Sequence, residues 1–198
     1  MADYMGKHQL KIITSTTSRG RKGTAVANWI TRLSKEVTFF ETELLDLANI
    51  QLPFLDEIDH PALRHYQNAY SHQWSATIDS ADAFVIVLAE YNFGFPAPIK
   101  NALDYLYHEW KHKPVAILSY GAFSGGLRST LMLKQVLAAL NMIPLAGSIA
   151  IPSFDKYIGD DGNFVPKESL VHSAHVMFSE LRRWSEVLKT MRAQEQYS

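Results

Sequence analysis

The sequence predicts one α/β domain in which a parallel sheet is covered by helices on both faces. Five apolar, β-prone runs alternate with segments of helical period along the 198 residues, and parallel neighbours need crossovers that helices usually supply. One run, AFVIVLA at Ala83–Ala89, is apolar without interruption, as a strand buried on both faces must be. The most unusual loops follow the first, third and fourth runs, at the strand ends where ligands of such sheets bind.

The first strand is Gln9–Thr14, followed by the polar loop Ser15–Gly23 and a helix from Thr24 with Val26, Trp29, Ile30, Leu33 and Val37 on one face. Thr38–Leu45 reads as the second strand. The Pro- and Asp-rich stretch Asn49–Pro61 leads into a helix over Pro61–Ile78. Ala83–Ala89 is the third, central strand, and Pro98 is suited to start a helix through Tyr107. Val115–Ser119 is the fourth strand, Gly121–Gly126 a glycine-rich turn, Leu127–Leu140 a helix and Met142–Ile149 the fifth strand. After a loop at Pro152–Pro166, the apolar positions Val171, Ala174, Phe178, Leu181, Leu188 and Met191 mark a closing helix over Val171–Met191.

Composition removes several classes of function. With 47% apolar residues the chain buries the core of a single domain spanning residues 1–198. Nineteen Lys and Arg against 20 Asp and Glu give a net charge of −1, so no nucleic-acid or membrane partner is expected from charge, and an anion site must be local. There is no cysteine, hence no disulfide, thiolate nucleophile or thiolate-held metal cluster. The opening MADYMGKHQLKIIT has too short an apolar run for a secretory signal, and no 18-residue apolar stretch occurs; a cytoplasmic location is the simplest expectation.

In the first loop, Ser15, Thr16, Thr17 and Ser18 precede three cations, Arg19, Arg21 and Lys22, directly ahead of a helix. Helix starts present unpaired N–H groups and the positive end of the dipole, so this is suitable chemistry for a terminal phosphate. The loop is neither GxGxxG nor a P-loop. The plainer alternative is a solvated loop whose hydroxyls cap its own helix.

Three blocks resemble the NADPH-dependent FMN reductase family, whose members include quinone, azo and chromate reductases, and the resemblance runs over residues 9 to 190. TSTTSRGRKGTAVANW (Thr14–Trp29) is similar to the family's GSTRPGR block: Ser15, Thr16, Gly20 and Arg21 fit, Thr14 replaces a glycine, Thr17 stands at the arginine position and one residue is inserted. AEYNFGFPAPIKNALD (Ala89–Asp104) resembles PEYN followed by LKNAID, with Ala89 replacing the proline. SYGAFSGGLR (Ser119–Arg128) resembles SYGGxSGGLR, with Ala122 in place of a glycine.

The resemblance implies a flavodoxin-like three-layer sandwich with a five-stranded parallel sheet in the order 2-1-3-4-5, working as a homodimer or tetramer. It implies FMN and NADPH as cofactors and a small-molecule electron acceptor. Cofactor-binding candidates are Ser15, Thr17, Ser18, Arg19 and Arg21 at the phosphate, Glu90, Tyr91, Asn92 and Phe93 around the ring, and Ser119, Tyr120, Gly121 and Ser124 of the third block, with Gly121 and the adjacent amides on the pyrimidine side. Which of the cations serves the phosphate stays open. Phe93 and Phe95 have a competing role in packing or between subunits, Ser124 as a helix cap, and Arg128 as an interfacial ion-pair residue. Tyr105, Trp110, Phe93 and Phe123 are candidates for a two-fold interface.

No catalytic side chain and no metal ligand is expected, because the flavin carries the chemistry. A flavodoxin-like electron carrier or regulatory module without efficient NAD(P)H turnover is the alternative. A remote one is a zinc hydrolase, because His108-Glu109-Trp110-Lys111-His112 spells HExxH, which needs a helix to bring both histidines to one face. Lys113-Pro114 follows at once and argues against that helix.

Overall fold

A computed structural model describes residues 7–195. The start of the signal-peptide reading, at residues 1–6, lies outside them. The elements are β1 (His8–Thr14), α1 (Gly23–Ser34), β2 (Phe40–Leu45), α2 (Leu47–Ile50), α3 (Ala69–Asp79), β3 (Ala83–Ala89), α4 (Ala97–Asp104), β4 (Pro114–Gly121), α5 (Leu127–Ala139), β5 (Ile143–Pro144), β6 (Ile149–Pro152) and α6 (Glu168–Glu195). All pairings are parallel and the order is β2-β1-β3-β4-β5, with β6 also on β4. This is the expected α/β order.

Alternation along the strands divides the core between two layers. Ile12, Val85, Val87, Ala116 and Leu118 face α1 and α6, whereas Ile13, Phe84, Ile86 and Ile117 face α3, α4 and α5. Every residue of β3 is buried, which explains its unbroken apolar sequence. Arg192 and Lys189 of α6 bond Asp82 at 3.0 and 2.8 Å, fastening the closing helix to the amino end of β3.

Three expectations are corrected. The helix over 61–78 is a 3₁₀ turn at Pro61–Leu63, ended by Arg64 at φ 55°, and then α3. The fifth strand is two pieces: Pro114 pairs with Ile143 but Leu118 with Ile149, so the register slips by two residues across the intervening bend. Tyr105 and Trp110 are not interface residues. Both are fully buried, with Trp110 packed on Phe84 and Trp74.

The HExxH segment is a 3₁₀ turn at His108–Trp110, and His112 has φ 54°, so its histidines do not share a helical face. Glu109 points inward and accepts hydrogen bonds from Tyr66 Oη at 2.9 Å and Ser75 Oγ at 2.7 Å. Among the described residues no cluster of three or more His, Asp or Glu is arranged to hold a metal.

Candidate flavin site

The loops after β1, β3 and β4 meet at the carboxyl edge of the sheet. Ser15 is buried and joins two strands: its N–H donates to Val87 O at 3.1 Å and its Oγ accepts from Ala89 N at 2.9 Å. Thr17, Ser18 and Arg19 are exposed at the loop's apex. No loop hydroxyl caps α1; Lys22 is the cap residue and provides no side-chain bond, while Thr24 Oγ1 donates to Arg21 O. The first-turn amides therefore have no side-chain partner, as an anion-binding helix start requires.

Arg21 is fixed from the next strand. Its Nη2 lies 2.6 Å from Asp46 Oδ2, and the other carboxylate oxygen accepts from Thr14 Oγ1 at 3.0 Å and Ala48 N at 3.1 Å. Arg21 Nε is buried with no partner. A buried donor without an acceptor is costly, and Arg21 also lines the cleft between the three loops.

The second and third loops are tied together by one carboxylate. Glu90 Oε2 accepts from Ser124 Oγ at 2.8 Å and Arg128 N at 3.0 Å, and Oε1 from Arg128 Nη1 at 3.2 Å. Burial raises the Glu90 pKa and these bonds lower it, leaving it below the ordinary carboxylate value. α5 has no cap of its own, because Gly126 in the left-handed region precedes it. Glu90 is thus a cap supplied across the sheet. Ser124 bonds Glu90 instead of capping the helix, and Arg128 forms its ion pair within the chain.

Gly126 has φ 87°, and a Cβ there would lie 2.7 Å from Ser119 Cβ. Ser119 is buried and its Oγ donates to Gly125 O at 2.8 Å, closing the turn from inside. Tyr120 packs 4.6 Å from Phe154, and burial pushes its hydroxyl up to about 12. Its ring also fills the space beside Gly23, where a Cβ would meet Tyr120 Oη at 1.9 Å.

A cleft of about 180 Å³ lies between these parts, bringing together Arg21, Gly23, Glu90, Tyr91, Tyr120 and Gly121. A larger groove of about 490 Å³ runs on the other side of the first loop, past Thr17, Leu52, Phe54 and Pro98. Asn92 and Phe93 project from the second loop, both exposed. Phe95 instead packs into the core layer under α4. Sequence reasoning missed Asp46 and Phe154. The Asp after a strand and before LANI was a legible helix cap; nothing local marked Phe154 as the neighbour of Tyr120.

Residues 9–156 match the NADPH-dependent FMN reductase family. The chain is 35% identical over 148 residues to an NAD(P)H-dependent FMN reductase of Schizosaccharomyces pombe, covering 73% of this chain and 74% of that one. It is 34% identical over 142 residues to an NAD(P)H-dependent FMN reductase of Saccharomyces cerevisiae, covering 68% and 72%. Among solved structures, the flavoenzyme NAD(P)H:(acceptor) oxidoreductase of Paracoccus denitrificans shares the fold with a TM-score of 0.71 at 19% identity, over 90% of this chain and 97% of that one. The three loop blocks, the sheet order and these matches agree: the chain belongs to the NADPH-dependent FMN reductase family.

Proposed function

We propose that this protein is an FMN-dependent NAD(P)H oxidoreductase that passes electrons from NADPH or NADH to a small acceptor such as a quinone, an azo compound or free flavin. The observation that carries this reading is the meeting of the three family blocks around one cleft, with an uncapped helix start and the orphan Arg21 Nε on its wall. Bound FMN supplies a ring that accepts hydride from nicotinamide and returns two electrons to the second substrate.

The chain's own groups bind and orient. The α1 amides and Arg21 take the phosphate, and Gly121 lets backbone approach a ring edge where a Cβ would crowd Gly126 N at 3.2 Å. Tyr91 offers an aromatic wall, and burial keeps the Tyr120 hydroxyl protonated at neutral pH. No side-chain acid or base is needed for the hydride step.

We read the protein as a cytoplasmic homodimer; no helix among the described residues is long and apolar enough to cross a membrane. Phe123, 97% exposed, and Leu131, 58% exposed, support a second copy covering this side. Sedimentation at micromolar concentration tests that, a monomer being the contrary result.

Steady NADPH and NADH oxidation by the FMN-loaded protein, with a naphthoquinone and then an azo dye, tests the activity. Turnover with either acceptor is expected. Full FMN occupancy without turnover would assign the chain to the electron carriers.

A further inference from the structure

We propose that Phe93, two residues beyond Tyr91 on the cleft wall, is a specificity-determining platform on which planar aromatic electron acceptors stack. This rests on the flavin reading above. The turn that bears Phe93 is built against its own backbone preference. Tyr91 N donates to Gly94 O and Gly94 N to Tyr91 O, both at 2.9 Å, closing a two-residue hairpin. Its central residues, Asn92 and Phe93, have φ of 50° and 68°.

Such paired left-handed positions favour Asn followed by Gly. Asn92 suits its place, but the glycine comes one residue late, at position 94, and a bulky aromatic occupies the second left-handed position. That conformation is strained for any residue with a Cβ.

Burial does not compensate for the strain, because Phe93 is 66% exposed. What holds the ring is the Arg128 guanidinium, 4.3 Å from its centroid. Arg128 is held in turn by Glu90, the carboxylate that joins the second and third loops. Within one chain, one face of the ring is therefore backed by a cation while much of the residue is left uncovered. Strain that folding does not require is commonly kept where a ligand uses the geometry.

An exposed phenyl ring favours flat arenes in an offset stack. A naphthoquinone meets that requirement and ferricyanide, a compact hydrophilic oxidant, does not. Arg128 is a positioning residue in this arrangement: it acts through the ring and need not touch the acceptor.

The test compares F93A, F93G, F93W and R128Q in the FMN-loaded full chain. The ratio of kcat/KM for a naphthoquinone to that for ferricyanide should fall about tenfold in F93A and F93G, taking a stacked pair at roughly 1.4 kcal/mol. It should return in F93W and fall by a smaller factor in R128Q. F93G should melt about 2–4 °C above F93A, since both lack the ring and only glycine is at ease in the left-handed region.

An unchanged acceptor ratio would overturn the proposal, as would a loss confined to NADPH. A drop in sedimentation coefficient in F93A with the ratio intact would give the ring to a second copy instead. Wild-type protein that takes up no FMN would fail at the flavin reading itself and take the platform with it; the F93G and F93A melting comparison, made without flavin, reads the strained turn separately.

Discussion

Replacing Glu90 tests whether its carboxylate holds two loops together or touches the flavin ring. In E90A, Ser124 Oγ and Arg128 N lose their acceptor at 2.8 and 3.0 Å, and each bond is worth about 1 kcal/mol net. The Arg128 guanidinium is half exposed, so its 3.2 Å contact contributes a few tenths of a kcal/mol. A carboxylate at the start of α5 adds about 0.5 kcal/mol through the helix dipole. The sum is about 2–3 kcal/mol, a fall in Tm of roughly 7 °C for a domain of this size. E90Q keeps one acceptor oxygen without the charge and should lose about 1 kcal/mol.

Urea unfolding without flavin measures the first effect and FMN titration the second. Stability should fall in the order wild type, E90Q, E90A, with FMN affinity falling in the same order as the loops separate. The pH dependence has a fixed sign. The folded pKa of Glu90 lies below its ordinary 4.5, so its contribution is complete above the unfolded value and is lost as pH falls through the folded one. Wild type and E90Q should converge in acid. E90A with unchanged stability and lost FMN binding would refute the cap and give the carboxylate a direct contact with flavin.

Three further outcomes follow from the geometry. G23A places a Cβ 1.9 Å from Tyr120 Oη, and Tyr120 is wedged against Phe154; despite a gain in helix propensity, urea unfolding should show a loss of about 1–3 kcal/mol. R21A should weaken FMN binding about ten- to hundredfold by fluorescence titration, as expected for bonds between charged partners. R19A should weaken it less than about threefold, because Arg19 is exposed at the loop apex; the reverse ranking would move the phosphate to Arg19.

Lys113 is buried with its Nζ bonded to Ile78 O and Asp79 O, and burial lowers it from 10.5 to about 8. Folding disfavours its charged form, so stability relative to K113M should rise by about 3 kcal/mol between pH 8 and 10.5. Parallel pH profiles of the two proteins would contradict that.

The sheet was legible because β3 is apolar at every position and the other strands are separated by helical periods. What the sequence could not convey were local breaks decided by tertiary contacts. Met142–Ile149 has the composition of one strand, but β4 accepts it only in two registers. Tyr105 and Trp110 look like interface aromatics until their NH and OH groups are seen bonded to Leu103 O and Pro53 O inside the fold.

At the site, the blocks fixed which loops meet, while the roles of single side chains depended on distances across the sheet. Glu90 binds the start of α5, Ser15 joins β1 to β3, and Asp46, the cap of α2, holds Arg21 from 25 residues away. Spacing within a motif carries no information on such partners. Phe93 is the opposite case, since the misplacement of its glycine neighbour is visible in the sequence, but only once the turn is known.

The visible spectrum of the purified chain, titrated with FMN and then with NADPH under anaerobic conditions, bears most directly on the flavin reading. One FMN should bind per chain, NADPH should bleach the flavin band, and the band should return when a quinone is added. A chain that leaves added FMN free in solution, or binds it and is not bleached by either nicotinamide nucleotide, would contradict that reading.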